Sequence, residues 1–583
     1  MTNPNPFTQK MTKKLFQRMV KVESLIFLAT WLTVQGSSGV KGNGPSEQAC
    51  TSIATDIKQF PIANTQITLA HFNPDGVAKD GGTLLPAHCL VQGVINSRVG
   101  VNGVKFGDLF ELRMPINWNG RFMFQGGGAT KGWLPPAIGF AGTATPTLAT
   151  GYAVVSNDGG HEDGQLSKPV AFGLDPQARK DFGYETDDRT VQTAKFLINY
   201  FYGRLPDHSY HVGCSLGGQE GMQFSQRFPD YFDGIVVGAP VFDLGSMSLS
   251  EINALQAIAA IVPKDANGAP EYYKSFSKKD RELFTVAILN ACDKLDGLAD
   301  GVIDNLAACR FDPDTYVFPE TNQPLKCVGA KTGNCLTAAQ IHALERINSG
   351  PRTASGKLVV LPSGSTVVGY PYDGGFMEPT GIPSSLIGTE TALPNDLNGR
   401  RAVSQLSYLH FATPDQTYDP LKFNYDTDVQ RITKSDVVAN STNLSAFKRH
   451  GGKILFYHGA SDPGPVLTNT INYYNALIEL HGGLAETEKF ARLFLIPNMG
   501  HCRGGPATDQ FDMLTPLVNW VEKGIAPDSI EASGSNFTIQ PTKRSRPLCP
   551  YPQYAVYRGP LGGDIADAKN YACTTPSGNV PKM

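Results

Sequence analysis

The stretch His211-Val212-Gly213-Cys214-Ser215-Leu216-Gly217-Gly218 decides how this chain is read. It contains G-x-S-x-G. Before it, Ser209-Tyr210-His211-Val212 reads as a short buried strand, and after it residues 217–228 carry Met222, Phe224 and Phe228 at helical spacing. The pattern alone is common. Between a strand and a helix it becomes a mechanism, because small residues at Gly213 and Gly217 permit a strained turn that lifts the Ser215 hydroxyl above a sheet.

The neighbouring segments supply that sheet. Tyr152-Ala153-Val154-Val155-Ser156, Gly234-Ile235-Val236-Val237-Gly238, Lys453-Ile454-Leu455-Phe456-Tyr457-His458 and Arg492-Leu493-Phe494-Leu495-Ile496 read as core strands. Residues 187–202 read as a helix on Val191, Ala194, Phe196, Leu197 and Tyr200. Strand and helix in alternation imply an α/β fold with a mainly parallel sheet. Further upstream, residues 50–101 read as short strands and loops. Leu109–Met114 and Arg121–Gln125 read as a strand pair joined by residues 115–120, and the second strand runs into Gly126-Gly127-Gly128-Ala129.

The alternation stops near Phe242 and resumes only at Lys453. The block between is mixed helix and loop, rich in Gly, Pro, Ser and Thr. We therefore expect an α/β-hydrolase fold with a large inserted lid: a catalytic domain over residues 39–241 and 440–583, and a lid over 242–439.

Chemistry follows from strand ends. In α/β hydrolases the acid and then the base follow the nucleophile along the chain. Asp462 lies on a tight loop just past one core strand, and His501 on the loop after the last. Ser215, Asp462 and His501 are the expected triad, with His501 moving the Ser215 proton and Asp462 fixing the imidazole tautomer. The oxyanion donors are expected to be the amide of Leu216 and one from the Gly-rich loop, Ala129. Cys214 precedes the nucleophile and Cys502 follows the base. If Ser215 and His501 meet, these neighbours come close enough for a disulfide.

The chain has 583 residues, 41% hydrophobic and 18% charged, with 61 Gly, 41 Pro and a net charge of -3. That excludes a disordered or coiled-coil protein and gives no electrostatic case for nucleic acid or an anionic membrane. Ten cysteines without a C-x-x-C point to disulfides and an oxidising compartment, with Cys50–Cys89 a plausible bridge. Lys13, Lys14, Arg18 and Lys21 precede an apolar run over residues 24–34, and Gly36-Ser37-Ser38-Gly39 follows. Residues 1–38 thus read as a secretory signal peptide, implying a secreted or periplasmic enzyme.

Taken together, Gly-Cys-Ser215-x-Gly-Gly, Asp462 and His501-Cys502 resemble the tannase and feruloyl esterase family, over about Cys50 to Cys573. The resemblance implies hydrolysis of esters of aromatic acids (galloyl, feruloyl and, in one branch, terephthaloyl). It also implies the disulfides Cys50–Cys89, Cys214–Cys502, Cys292–Cys309, Cys327–Cys335 and Cys549–Cys573. Residues 292–304 pack four Asp into one turn-rich segment, the chemistry of a Ca²⁺ loop. By resemblance the ligands are Asp293, Asp296, Asp300 and the carbonyls of Leu298 and Val302, with a structural role in the lid. Leu244 matches a pocket position of the terephthaloyl branch, and Arg400 and Arg401 lie near its carboxylate-binding Arg. Leu216 stands where that branch has an acid, and Pro465 where it has a Phe. Two other classes are open. A transacylase would keep the triad and be revealed by product partition with an alcohol acceptor. A non-catalytic calcium-dependent binding protein would normally lose a triad member.

Overall fold

The computed structural model describes residues 44–80, 82–139, 145–164, 170–391, 405–415, 417–434 and 436–575. The expected signal segment 1–38, Arg400 and Arg401 lie outside the described residues. Nine strands form one sheet: β1 (Gln66–Asn73), β2 (His88–Val99), β3 (Lys105–Pro115), β4 (Arg121–Gln125), β5 (Ala153–Asn157), β6 (His208–Cys214), β7 (Gly234–Gly238), β8 (Lys453–Gly459) and β9 (Ala491–Ile496), in the order β1-β2-β3-β5-β4-β6-β7-β8-β9. The β1–β2, β2–β3 and β3–β5 pairings are antiparallel, and the rest, from β5–β4 to β8–β9, are parallel. The parallel half carries the site.

Two expectations are corrected here. Residues 50–101 hold a 12-residue strand, β2, rather than only short pieces. Strands β3 and β4 do not pair with each other. The strand β5 lies between them, antiparallel to β3 and parallel to β4. All five β5 residues are buried. An apolar strand with both edges and both faces covered belongs inside a sheet, and the short 115–120 connection does not compete with that.

Helices α1 (Thr186–Tyr202), α2 (Leu216–Arg227) and α3 (Leu244–Ala259) follow β5, β6 and β7. The first ends on Gly203, whose left-handed φ of 74° closes the last turn. The second approaches the sheet closely through Gly221, where a Cβ would meet Ile235 Cγ2 at 2.9 Å and Val237 Cγ2 at 3.0 Å.

After β7 the chain leaves the sheet and does not rejoin it until β8. Its departing and returning strands meet: Ala439 N donates to Phe242 O at 2.8 Å, and Asp243 bridges Val438. Between them, α3, α4 (Lys278–Cys292) and α5 (Ala338–Ser349) build apolar cores of their own. One contains Leu255, Phe284, Leu344 and Phe376, and another Leu249, Val367 and Phe411. Helices α6 (Leu467–Leu480) and α7 (Leu514–Lys523) then complete the layers beside β8 and β9.

Candidate active site

Ser215 occupies the turn between β6 and α2 with φ 64° and ψ −120°, a conformation that L-residues rarely adopt. Close-packed glycines make it possible. A Cβ on Gly213 would overlap the Gly217 backbone. One on Gly217 would lie 2.7 Å from Gly127 O, and one on Gly126 would lie 2.9 Å from both Gly213 Cα and Gly217 Cα. Two hydrogen bonds hold the turn: Ser215 N donates to Gly238 O at 2.9 Å, and His211 Nε2 lies 2.8 Å from Gly217 O. Leu216 opens α2, so its N–H has no acceptor within the helix.

The Gly-rich loop rests on the same helix. Gly126 N donates to Val212 O at 2.9 Å and Gly127 N to Glu220 Oε2 at 2.9 Å, while Ala129 turns with φ 52°. Two of its amides are therefore committed to holding the loop. Beneath it lies Lys131, 4% exposed, whose Nζ reaches Asn157 Oδ1 and Asp187 Oδ1 at 2.9 Å each and pairs with Glu220. Burial opposes the Lys131 charge, but Asp187 and Glu220 outweigh it and raise its pKa above the ordinary lysine value. Burial likewise pushes Glu220 up to about 7, against the pull of Lys131. Neither Lys131 nor Glu220 is apparent in the sequence reading. The one available signal is a lone Lys directly after a Gly-rich loop, which usually means a solvated turn.

On the far side, His501 Nδ1 lies 2.8 Å from Asp462 Oδ2. The Asp462 side chain is fully buried and that of His501 is 32% exposed. Gly464 N donates to Asp462 Oδ1 at 2.8 Å, and His458 Nε2 lies 3.4 Å from Asp462 Oδ2. Burial works against ionisation of Asp462, yet the His501 charge and the hydrogen bonds from His458 and His501 hold its carboxyl well below the usual carboxylate range. His458 is a third residue that the sequence does not single out. Its ring is fixed by Thr470 Oγ1 at 2.8 Å and Pro465 O at 3.0 Å, so it helps to hold the Asp462 carboxylate. The Cys214–Cys502 disulfide, with a Cα–Cα distance of 6.1 Å, joins the residue before Ser215 to the residue after His501.

Leu216 and Leu244 are both buried, and they share one apolar cluster with Phe172, Phe182, Met247 and Leu409. Pro465 is buried in the loop after Asp462. All ten cysteines are paired, as Cys50–Cys89, Cys214–Cys502, Cys292–Cys309, Cys327–Cys335 and Cys549–Cys573.

In the acidic loop, Asp293 Oδ2 accepts from Gly301 N at 2.8 Å, and Asp296 accepts from Leu298 N and Asp304 N at 3.0 and 2.8 Å. Asp300 Oδ1 accepts from Val302 N at 3.2 Å, while its Oδ2 pairs with Arg544 and Arg546. Burial, with carboxylate neighbours, pushes Asp293, Asp296 and Asp304 up to about 6, 8 and 7. Among the described residues no three His, Cys, Asp or Glu side chains form a ready metal cage. Asp293 Oδ1 is buried there without a hydrogen-bond partner among the described residues, and carboxylate oxygens with backbone carbonyls are the donors that a hard cation takes.

Residues 89–574 match the family model for tannase and feruloyl esterase. The chain is 42% identical over 551 residues to mono(2-hydroxyethyl) terephthalate hydrolase of Piscinibacter sakaiensis, covering 89% of this chain and 90% of that enzyme. It is 31% identical over 485 residues to a probable feruloyl esterase of Arthroderma benhamiae, covering 80% and 82%. Feruloyl esterase B from Aspergillus oryzae shares the fold at a TM-score of 0.70 and 23% identity, over 91% of this chain and 100% of that one. The protein belongs to the tannase and feruloyl esterase family of α/β hydrolases, and it is a carboxylic ester hydrolase. Among the described residues, no helix is long and apolar enough to cross a membrane.

Proposed function

We propose that the protein hydrolyses esters of aromatic carboxylic acids through an acyl-enzyme on Ser215. The observation that carries this reading is the Cys214–Cys502 disulfide, which ties the strained Ser215 turn to the loop of a His501 already paired with Asp462. Ser215 Oγ attacks the ester carbonyl as His501 takes its proton. The oxyanion accepts from the amides of Leu216 and Ala129, and the alcohol leaves with the proton from His501. Water, deprotonated by His501, then attacks the acyl carbonyl. Ser215 regains its proton and the free acid departs. Asp462 stays ionised throughout and stabilises the imidazolium. Loss of one oxyanion donor costs about 3–4 kcal/mol in the transition state.

The apolar cluster of Leu216, Leu244 and Phe172 beside the nucleophile supports an aromatic acyl group, as do the chain's relatives, a mono(2-hydroxyethyl) terephthalate hydrolase and a probable feruloyl esterase. Residues 242–439 act as the lid over Ser215, and Arg400 or Arg401 would pair with any second carboxylate on the ring. Calcium, held by Asp293, Asp296, Asp300 and the carbonyls of Leu298 and Val302, would neutralise the crowded carboxylates and stabilise that lid. The five disulfides favour a secreted or periplasmic enzyme.

A panel of methyl gallate, methyl ferulate and mono(2-hydroxyethyl) terephthalate, run beside Ser215→Ala, tests the reading. Turnover of at least one ester, falling about a millionfold in Ser215→Ala, is expected. Activity that survives the substitution would overturn it. An added alcohol acceptor separates hydrolysis from acyl transfer.

A further inference from the structure

The 242–439 segment does more than cover the site: one of its carboxylates is inserted between the two loops that carry the acid and the base. Asp373 is 1% exposed. Ser461 Oγ donates to its Oδ1 at 2.6 Å and lies 2.8 Å from its Oδ2, and Asn498 N donates to Oδ2 at 3.0 Å. Ser461 immediately precedes Asp462, and Asn498 stands three residues before His501. The two loops also touch directly, through Ser461 N to Met499 O at 3.0 Å.

The contact is built for close approach. Gly374 and Gly375 follow Asp373. A Cβ on Gly374 would lie 2.7 Å from Asn498 Oδ1, and one on Gly375 would meet Ser461 Oγ as well as Asn498 O at 2.8 Å. Asn498 holds a left-handed φ of 58°, and its Nδ2 donates to Gly301 O at 2.7 Å. Gly301 belongs to the acidic loop, through its own N–H to Asp293. Thr380 continues the contact, since a Cβ on Gly500 would lie 2.8 Å from its carbonyl oxygen.

A buried carboxylate is costly unless its oxygens are satisfied. Here two donors, the Ser461 hydroxyl and the Asn498 amide, come from the two loops whose spacing sets the Asp462–His501 hydrogen bond. We propose that Asp373 is a positioning residue that holds the Asp462 and His501 loops in register from the inserted segment, acting through Ser461 and the Asn498 amide. The inference rests on the triad reading above. Its substrate-independent consequence is a lid that sets the base geometry as well as access.

The test uses the full-length disulfide-bonded enzyme with Asp373→Asn, Ser461→Ala and the double variant. It measures kcat, KM, melting temperature and the rate at which a small phosphonate labels Ser215. A misplacement of about 1 Å at a catalytic group can cost about a hundredfold. The expected result is a loss of roughly 10–100-fold in kcat with KM nearly unchanged, a parallel fall in labelling rate, and a double variant no worse than Asp373→Asn alone. If Asp373→Asn does not fold, Ser461→Ala carries the same expectation at the lower end. An unchanged kcat and labelling rate in the folded variants, or losses that multiply in the double variant, would overturn the proposal. Ser215→Ala is the control. If it stays active the triad reading itself fails. If it is dead while Asp373→Asn and Ser461→Ala are normal, only the positioning role fails.

Discussion

Ser215 and His501 reach their places by different physical means. Ser215 is positioned by backbone packing: Gly126, Gly213 and Gly217 fit together so closely that a single methyl group does not fit among them. Asp462 and His501 sit on loops held by polar groups: Asp373 from the 242–439 segment, Asn498 of the His501 loop reaching the acidic loop, and His458 beside Asp462. The disulfide joins the two halves. Close packing of glycines gives one rigid answer. A set of hydrogen bonds can be retuned, so on the proposed reading the His501 side is the one that the 242–439 segment can adjust.

Four substitutions or removals separate the halves, and the largest effect belongs to the acid. Asp462→Asn keeps the shape but leaves His501 in the wrong tautomer, and should lower kcat by about 10⁴ with little change in KM. The same residue has a pH signature. Its folded-state pKa is depressed, so its contribution to stability is complete at neutral pH and fades as pH falls below the ordinary carboxylate range. The melting-temperature gap between wild type and Asp462→Asn should therefore narrow between pH 6 and pH 3. A gap that widens on acidification would contradict the assignment.

On the nucleophile side, Lys131→Met leaves Asp187 and Glu220 buried without their cation, which costs about 3–5 kcal/mol by denaturant melts. Loss of that support should also slow turnover, because the Gly-rich loop rests on Glu220. A fully stable, fully active Lys131→Met would show that the loop needs no buried support.

Removing the link between the halves is next. The Cys214→Ser, Cys502→Ser pair should lose about 2–4 kcal/mol. Turnover should fall further than that loss of folded protein explains, and an equal fall would reduce the bridge to a simple staple. Smallest is the chelator effect. Stripping calcium should lower the melting temperature by several degrees while phosphonate labelling of Ser215 persists at low temperature. An unchanged melt would remove calcium from the account.

The same contrast explains what was legible in the sequence. The elbow is local: its glycines, strand and helix lie within about 20 residues, and apolar periodicity marks each part. Strand ends then place Asp462 and His501, and the cysteines beside Ser215 and His501 tie together two segments 288 residues apart. Sequence adjacency suggests a β3–β4 hairpin, whereas the wholly buried β5 requires a neighbour on each edge and lies between them. The supporting groups were invisible for another reason. Asp373, Lys131 and Glu220 act through contacts between distant segments, His458 acts on its own strand-end loop, and each residue type is, by itself, more common on surfaces or in turns. Burial is what gives them meaning, and no periodic pattern announces it.

The central claim is that Ser215 is the nucleophile activated by His501. Its most direct test is labelling with an alkyl phosphonate followed by peptide mass analysis of wild type, Ser215→Ala and His501→Ala. The account predicts a single adduct on Ser215, absent in Ser215→Ala and formed far more slowly in His501→Ala. An adduct on another residue, or labelling of Ser215 at an undiminished rate without His501, would contradict it.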